Sequence, residues 1–190
     1  MKELRTVTLE QVLAMHPCIG ATKIKAYARA AGLKTGTALD VLKMENVSAN
    51  HRIWTILHPE FLSDAIMWEF ACWCAEDALQ YVKEKYGIEP DQGSINAIET
   101  RRKWLKGEAT DEELKVACAA AWIAVNAAYA AYAEYDAVFY AARAAFYAAR
   151  AAFYAANDAR SAFYAARDAY AAAVAYPAKQ VKKLIEMLTE

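Results

Sequence analysis

The chain has 190 residues, 58% of them hydrophobic, and a formal net charge of −1. A chain of this length buries enough apolar surface to fold without disulfides or a structural metal. The near-balance of charge argues against a protein that binds nucleic acid through a broadly basic surface, and also against an acidic mimic of nucleic acid.

Short helices separated by turn signals are predicted for the first 58 residues. Thr8 and Gln11 have the spacing of a capping box, which opens a helix. Gly32 is placed to end the second helix, and Asn50 is the predicted cap of the fourth. The four helices are predicted over residues 8–15, 22–31, 37–43 and 50–57. We assign this short-helix region, residues 1–58, as the first part of the protein.

Residues 12–32 resemble a helix-hairpin-helix element, in which the backbone N–H groups of a glycine-rich turn hold a DNA phosphate. Cys18 stands where the usual turn has its first glycine. One interpretation is therefore a nucleic-acid or nucleotide site, and the other is a helix-turn-helix unit that serves packing alone. The residues expected to contact a phosphate are Gly20, Lys23 and Lys25.

Longer helices are predicted for residues 59–190, which we assign to one alanine-rich helical bundle. Pro59 is expected to open a helix that ends at Gly87, and Ser94 is expected to open one that ends at Gly107. A second capping box begins at Thr110, and Pro177 begins the last helix. The apolar stripe predicted for the first of these helices is Trp68, Cys72, Ala75, Leu79 and Val82; for the last it is Val181, Leu184, Ile185 and Leu188.

The segment 116–133 carries no charge and is predicted to be a buried helix. More than half of it is alanine, which gains little from hydrocarbon, and Asn126 lies in its middle. A membrane span is therefore not expected.

An imperfect heptad repeat follows, with phenylalanine at positions 139, 146, 153 and 163. One continuous helix through residues 116–176 would be roughly 100 Å long. A compact domain of this size is only about 40 Å across, which favours antiparallel helices with a break at Asn157-Asp158. The alternative keeps the helix unbroken and treats the inserted residues as a stammer.

Arginine and tyrosine alternate along one face of this repeat, so that guanidinium groups and rings can stack. One interpretation is a bundle core with snorkelling arginines. The other is a partly exposed surface that binds a partner, because arginine and tyrosine dominate interface hot spots. We call this set the Arg/Tyr ladder: Tyr140, Arg143, Tyr147, Arg150, Arg160 and Arg167.

No pattern of catalytic or metal-ligating residues stands out in the sequence. The 3 histidines form no i, i+4 pair, and the 4 cysteines form no CxxC pair. Phosphate loops, nucleophile elbows and paired carboxylates are also not apparent. We therefore predict a protein that is not an enzyme, holds no cofactor or metal, and keeps its cysteines as buried thiols.

The block from Ala97 to Leu114, followed by the alanine, aromatic and arginine tract, resembles the alanine-rich immunity proteins of bacterial polymorphic toxin systems, which also occur in phage-related sequences. Residues 53–62 and 70–75 resemble the leading helices of that family, so the likeness covers roughly residues 50–190. The resemblance implies an inhibitor that neutralises an effector by binding it.

Together these patterns predict an all-α bundle of about eight or nine helices, short at the N-terminus and then long, alanine- and aromatic-rich and antiparallel. The expected function is stoichiometric binding of a protein effector in the cytoplasm of a bacterial host, as an immunity-type inhibitor or a phage counter-defence protein. The expected partner is a toxin or a host defence component, with nucleic acid less favoured, a homo-oligomer allowed and no membrane contact. A structural or self-assembling helical protein is the third hypothesis.

Overall fold

The computed structural model describes residues 4–15, 20–131, 140, 143–144, 147 and 176–190, and it is mostly helical, which confirms the all-α class. The predicted break at 157–158 and the return of the alanine tract lie outside these residues. Eight helices are described: α1 Leu9–Ala14, α2 Ala21–Ala30, α3 Ala38–Leu42, α4 Ala49–Ile56, α5 Asp64–Tyr86, α6 Gln92–Leu105, α7 Asp111–Ala131 and α8 Tyr176–Thr189.

A short antiparallel pair of strands, β1 Val7–Thr8 and β2 Thr35–Gly36, accompanies the first helices. Val7 lies opposite Gly36, and the N–H of Leu9 donates to the carbonyl of Lys34 at 3.1 Å. The sequence predicted no strand, because two residues are too few to show an alternating pattern.

Backbone contacts divide the chain into two units, Met1–Ser63 with Pro177–Glu190, and Asp64–Tyr176. The division drawn from the sequence lay at residue 58 and placed the last helix in the second part. In α8, Val181, Leu184 and Leu188 are buried as predicted, and Ile185 is half-buried.

The predicted capping boxes are confirmed. The Thr8 N–H donates to Gln11 Oε1 at 2.8 Å, and the Gln11 N–H donates to Thr8 Oγ1 at 3.2 Å. The same reciprocal pattern joins Thr110 and Glu113 at the start of α7. These side chains satisfy N–H groups that a helix start leaves without an internal partner.

The caps at the starts of α4 and α6 differ from the predictions. Ser48, not Asn50, caps α4 by accepting from the N–H of His51. Asp91, not Ser94, caps α6, and Ser94 is instead the residue that donates to it at 2.8 Å. In both cases an oxygen-bearing side chain lies three residues ahead of the bonded N–H, which is the geometry of an N-cap.

The helix predicted to begin at Pro59 begins at Asp64. Before it, the N–H groups of Phe61 and Leu62 both donate to the carbonyl of His58, at 2.9 and 3.0 Å. This turn buries both Phe61 and Leu62. A continuous helix from Pro59 would point these two neighbouring side chains in different directions. In α5 itself Cys72, Ala75, Leu79 and Val82 are buried as predicted, and Trp68 is half-buried.

Helices α6 and α7 form a closely packed hairpin. Gly107, with φ of 72°, ends α6, and the Glu108 N–H donates to the carbonyl of Lys103 at 2.8 Å. The contact between the helices is built from small side chains, namely Ala97, Ala117, Cys118 and Ala121. At Gly93 the approach is closest, since a Cβ there would lie 3.0 Å from the carbonyl oxygen of Ala120.

We expect Gly93→Ala to destabilise the protein by about 1–3 kcal/mol, although alanine is the better helix former by about 1 kcal/mol. The new methyl group would meet backbone atoms of α7, which cannot move aside as a flexible side chain can. Urea unfolding followed by circular dichroism measures the change. Asn96→Ala, at an exposed position of the same helix, is the control; a stabilised Gly93→Ala protein would contradict the close approach.

Between Val116 and Ala127 helix α7 is exposed along one side, so the prediction of a buried helix is wrong for this part of 116–133. Val116 and Ile123 are 65% and 68% exposed, whereas Leu114, Ala121 and Val125 are buried. The sequence could not show this, because alanine and aliphatic residues occur on both faces of the helix. None of the described helices has the length and apolar character needed to cross a membrane.

Candidate functional site

An apolar stripe lies exposed along α7. Val116 and Ile123 are two helical turns apart on one face, with exposed Ala119 and Ala127 on the same line. Trp122, 48% exposed, borders them. A single exposed aliphatic residue is ordinary, but large apolar side chains aligned on one helix face are typical of interaction surfaces, and this face is therefore the candidate site. We call Val116, Ala119, Trp122, Ile123 and Ala127 the α7 stripe.

A groove of about 470 Å³ between α6 and α7 adjoins the stripe at Val116. Its charged side chains are Glu99, Glu112, Glu113 and Lys103, so carboxylates outnumber cations. The backbone N–H of Thr110 lowers the pKa of Glu113, and Lys115 pairs with Glu112 at 3.0 Å. The groove therefore carries mixed charge beside an apolar surface, since Lys103 lines it and Lys115 pairs with Glu112.

A buried arginine fixes α6 between α5 and the start of α7. The guanidinium carbon of Arg101 lies 4.3 Å from the ring centroid of Trp68 and 4.7 Å from that of Trp104. Arg101 is fully buried, and the Trp104 Nε1–H donates to Asp111 Oδ1 at 2.7 Å. Cation–π contacts of a desolvated guanidinium contribute about 2 kcal/mol or more. The cluster thus connects α5, α6 and the first turn of α7.

The next residue, Arg102, binds two carboxylates of α5. Its Nε lies 3.0 and 3.2 Å from the Glu69 oxygens, and its Nη2 lies 2.9 Å from Glu76 Oε2. Burial opposes the charged form of Arg102, but its hydrogen bonds with Glu76 and Glu69 outweigh that effect and raise its pKa. This bidentate geometry sets the register of α6 on α5.

Cys72 is buried beneath these residues. Burial, together with the negative charge of Glu69, raises the pKa of the Cys72 thiol to about 12. The described cysteines Cys72, Cys74 and Cys118 are all buried and form no disulfide with one another. Because the thiolate is the reactive form, we expect the Cys72 thiol to react slowly with alkylating reagents in the folded protein.

We expect iodoacetamide at neutral pH to leave Cys72 unmodified in the folded protein and to modify it fully in urea. The thiol stays protonated and shielded until the chain unfolds. Mass spectrometry of peptides after timed labelling measures this. Rapid labelling of Cys72 without denaturant would contradict the burial that the structure assigns to it.

Part of the Arg/Tyr ladder is described. The guanidinium carbon of Arg143 lies 4.7 Å from the ring centroid of Tyr140, which confirms the predicted stacking at this pair. Tyr140, Arg143 and Tyr147 are helical and half-buried, and Ala144 is fully buried between them. The remaining predicted members, Arg150, Arg160 and Arg167, lie outside the described residues.

The predicted phosphate contacts are exposed. Gly20 precedes α2 with φ of 78°, and no side chain caps that helix start. Lys23 and Lys25 in its first turns are solvent-exposed. The turn residues 16–19 lie outside the described residues, so the hairpin geometry itself stays a prediction.

Within the described ranges, no three histidine, cysteine, aspartate or glutamate side chains lie close enough together to bind a metal ion. His58 is half-buried and packs edge-on against Trp54 at 4.9 Å. Burial lowers its pKa, against the opposing charge of Glu60. That the protein is not an enzyme and holds no cofactor stays a prediction.

Two features of the site were not found from the sequence. Arg101 shares a helix face with Ala97 and Ile98, a spacing that could have shown its burial. The exposure of Val116 and Ile123 had no comparable signal, because it depends on which neighbours cover α7.

Comparison of the chain with protein-family models, with curated proteins and with solved structures found no match. The geometry of the candidate site is an exposed apolar stripe beside a groove of mixed charge, both on the α6–α7 hairpin.

Proposed function

We propose that this protein is a non-enzymatic inhibitor that neutralises a protein effector by direct stoichiometric binding, as an immunity-type or phage counter-defence protein. The observation that carries the proposal is the α7 stripe, where Val116 and Ile123 are about two-thirds exposed. The contacts of Arg101 and Arg102 hold the hairpin that presents it. A surface that is already ordered loses little entropy on binding, which favours affinity.

The resemblance to alanine-rich immunity proteins supports the same proposal. The block that carries it, residues 97–114, covers most of α6 and the start of α7. The buried cysteines Cys72, Cys74 and Cys118, which form no disulfide with one another, agree with action in a reducing cytoplasm. A toxin or a host defence component is the effector that this class of inhibitor would bind.

Affinity capture from the native host, followed by mass spectrometry and calorimetric titration with the captured protein, tests the proposal. We expect one protein to be captured in a fixed molar ratio, with its activity lost on binding. Capture that disappears after nuclease treatment, or a captured molecule that is turned over, would contradict it. Val116→Gln/Ile123→Gln serves as the binding-deficient comparison, since it removes apolar surface without adding charge.

The alternative function is binding of nucleic acid or a nucleotide. It is favoured by the positive φ of Gly20 at the uncapped start of α2, beside exposed Lys23 and Lys25. Phosphate contacts make affinity fall steeply with salt, so a salt-dependent affinity that Lys23→Glu/Lys25→Glu abolishes would favour this function.

The Arg/Tyr ladder provides a further prediction about effector binding. If Arg143 contacts the effector, Arg143→Ala weakens binding by about 1–3 kcal/mol, as interface anchors do. We expect the free energy of unfolding to fall by less, because Arg143 is only half-buried. Arg143→Lys keeps the charge but loses planar stacking on Tyr140. Melting and binding measured on the same proteins separate the two effects; a loss of stability with intact affinity would assign the ladder to packing.

A further inference from the structure

We infer that a pocket in the unit formed by Met1–Ser63 and Pro177–Glu190 binds a short aliphatic carboxylate of about four to six carbons. This site uses other residues than the α7 stripe, and the inference does not depend on the proposed inhibitor function. It is based on an unfilled apolar cavity, on the lysine beside that cavity and on the polar surface around it.

The cavity lies among the short helices. Residues of α1, α2, α3 and α4 line it, with Val12, Ala28 and Val41 among them. Leu33 and Met44 also line it and are only half-buried, so a ligand there would cover apolar surface that the chain leaves open. The volume is about 80 Å³, roughly half that of a cavity of about 150 Å³ that holds benzene. It therefore has room for roughly three or four carbon atoms of an aliphatic chain.

A single charged residue lines this pocket in the described part of the chain. It is Lys34, whose side chain is exposed and forms no ion pair with another described residue. Tyr27 and Thr35 also line the pocket, and neither hydroxyl has a hydrogen-bond partner within the described ranges. The Thr55 hydroxyl, in contrast, donates to the carbonyl of His51 at 2.8 Å. An ammonium group and hydroxyl groups donate hydrogen bonds, and an ionised carboxylate accepts them.

The charge of the pocket matches one carboxylate. A phosphate monoester carries nearly two negative charges at neutral pH, and the described lining offers no second cation for it. Asp40 lies beside Gly36 of the lining, but its carboxylate already accepts from the N–H and the hydroxyl of Thr37, both at 2.8 Å. The pocket thus favours an anion with one negative charge and an aliphatic tail.

A small molecule fits this pocket better than a protein surface does. The large apolar side chains that are exposed in the described part of the chain all belong to the other unit, namely Tyr86, Val116, Trp122 and Ile123. A protein partner or a second copy of this chain would need such a surface around the pocket, because a stable interface buries about 800 Å² on each side. A concave site alone can hold a small ligand.

Methyl NMR spectra of the full-length protein, titrated with pentanoate, test the inference. We expect saturable shifts for Val12, Leu33 and Val41, and unchanged signals for Val116 and Ile123. The Kd should be in roughly the millimolar range, as expected for a ligand of so few atoms. Pentanamide should bind about threefold more weakly, because an exposed ion pair adds little affinity. Decanoate should bind no more tightly than pentanoate, since four carbons fill the cavity.

Two variants make the test specific. Ala28→Leu places three more carbon atoms in the cavity and should abolish the shifts, and leucine is a good helix former. Lys34→Gln should weaken pentanoate binding about threefold and leave pentanamide binding unchanged. Because Lys34 is exposed, this variant tests the site even if Ala28→Leu disturbs folding. Lys106→Gln makes the same change at the exposed end of α6 and should leave both affinities unchanged.

Several results would overturn the inference. These are shifts that do not saturate, shifts that persist in a folded Ala28→Leu protein, and equal affinity of the original protein for pentanoate and pentanamide. Tighter binding of pentyl phosphate would assign the site to a phosphate ester, and tighter binding of the tripeptide Gly-Gly-Leu would assign it to a peptide C-terminus; either result also overturns the inference. Capture of a host effector bears only on the inhibitor function, so the two proposals fail separately.

Discussion

Arg101→Ala is expected to lower the free energy of unfolding by about 3–5 kcal/mol, the largest effect of any single substitution considered in this protein. The change removes a fully buried side chain from between Trp68 and Trp104 and leaves a cavity where the guanidinium contacts both rings. It also removes cation–π contacts that are strong because water is excluded. Urea unfolding followed by circular dichroism measures the loss.

Two control variants separate the effect of the buried guanidinium from the loss of an arginine in general and from the loss of its charge. Arg29→Ala removes an exposed arginine from another helix, and should change stability by no more than about 0.5 kcal/mol. Arg101→Lys keeps the charge without the planar group, and should lose about 2 kcal/mol. An Arg101→Ala protein within 1 kcal/mol of the original, roughly the effect of an average substitution, would contradict the sandwich between the tryptophans.

Val116→Gln/Ile123→Gln is expected to weaken effector binding by about 100-fold, or about 3 kcal/mol. Each change removes a branched aliphatic side chain that is exposed in the free protein and would be buried against a partner. Glutamine is a good helix former, so the melting temperature should stay within about 2 °C. Calorimetric titration and thermal unfolding of the same preparation measure both quantities.

The control for this pair is Ala65→Gln/Ala178→Gln, which introduces the same side chains at exposed positions of α5 and α8. It should leave affinity and melting temperature unchanged. An equal loss of affinity in both double variants would show that surface glutamines disturb binding in general. It would contradict the proposal that the effector binds the α7 stripe.

Local features of the fold could be predicted from the sequence with good accuracy. The capping boxes at Thr8 and Thr110 depend only on residues three apart, and the structure has both. The starts of α4 and α6 are equally local and were assigned to the wrong residues. The start of α5 was missed because a tertiary contact decided it. Phe61 and Leu62 are buried by a turn at His58, so the helix expected at Pro59 begins at Asp64.

The candidate site was predictable only in part, for a related reason. Stacking of Arg143 on Tyr140 follows from a three-residue spacing within one helix and was predicted. Exposure of Val116 and Ile123 depends on which elements pack against α7, and an alanine-rich helix gives little indication of the face that will be covered. The burial of Arg101 was missed because arginine is rarely buried without a specific partner, here two tryptophans from α5 and α6.

Hydrogen–deuterium exchange of the protein with and without its captured effector tests the central claim most directly. Binding at the α7 stripe should slow exchange across Val116–Ile123 and in the adjoining part of α6 that contains Glu99, while Gly20–Lys25 stays unchanged. Slower exchange confined to Gly20–Lys25, with α7 exchanging as in the free protein, would contradict binding at the α7 stripe. It would favour the helix-hairpin-helix element of residues 12–32 as the binding site.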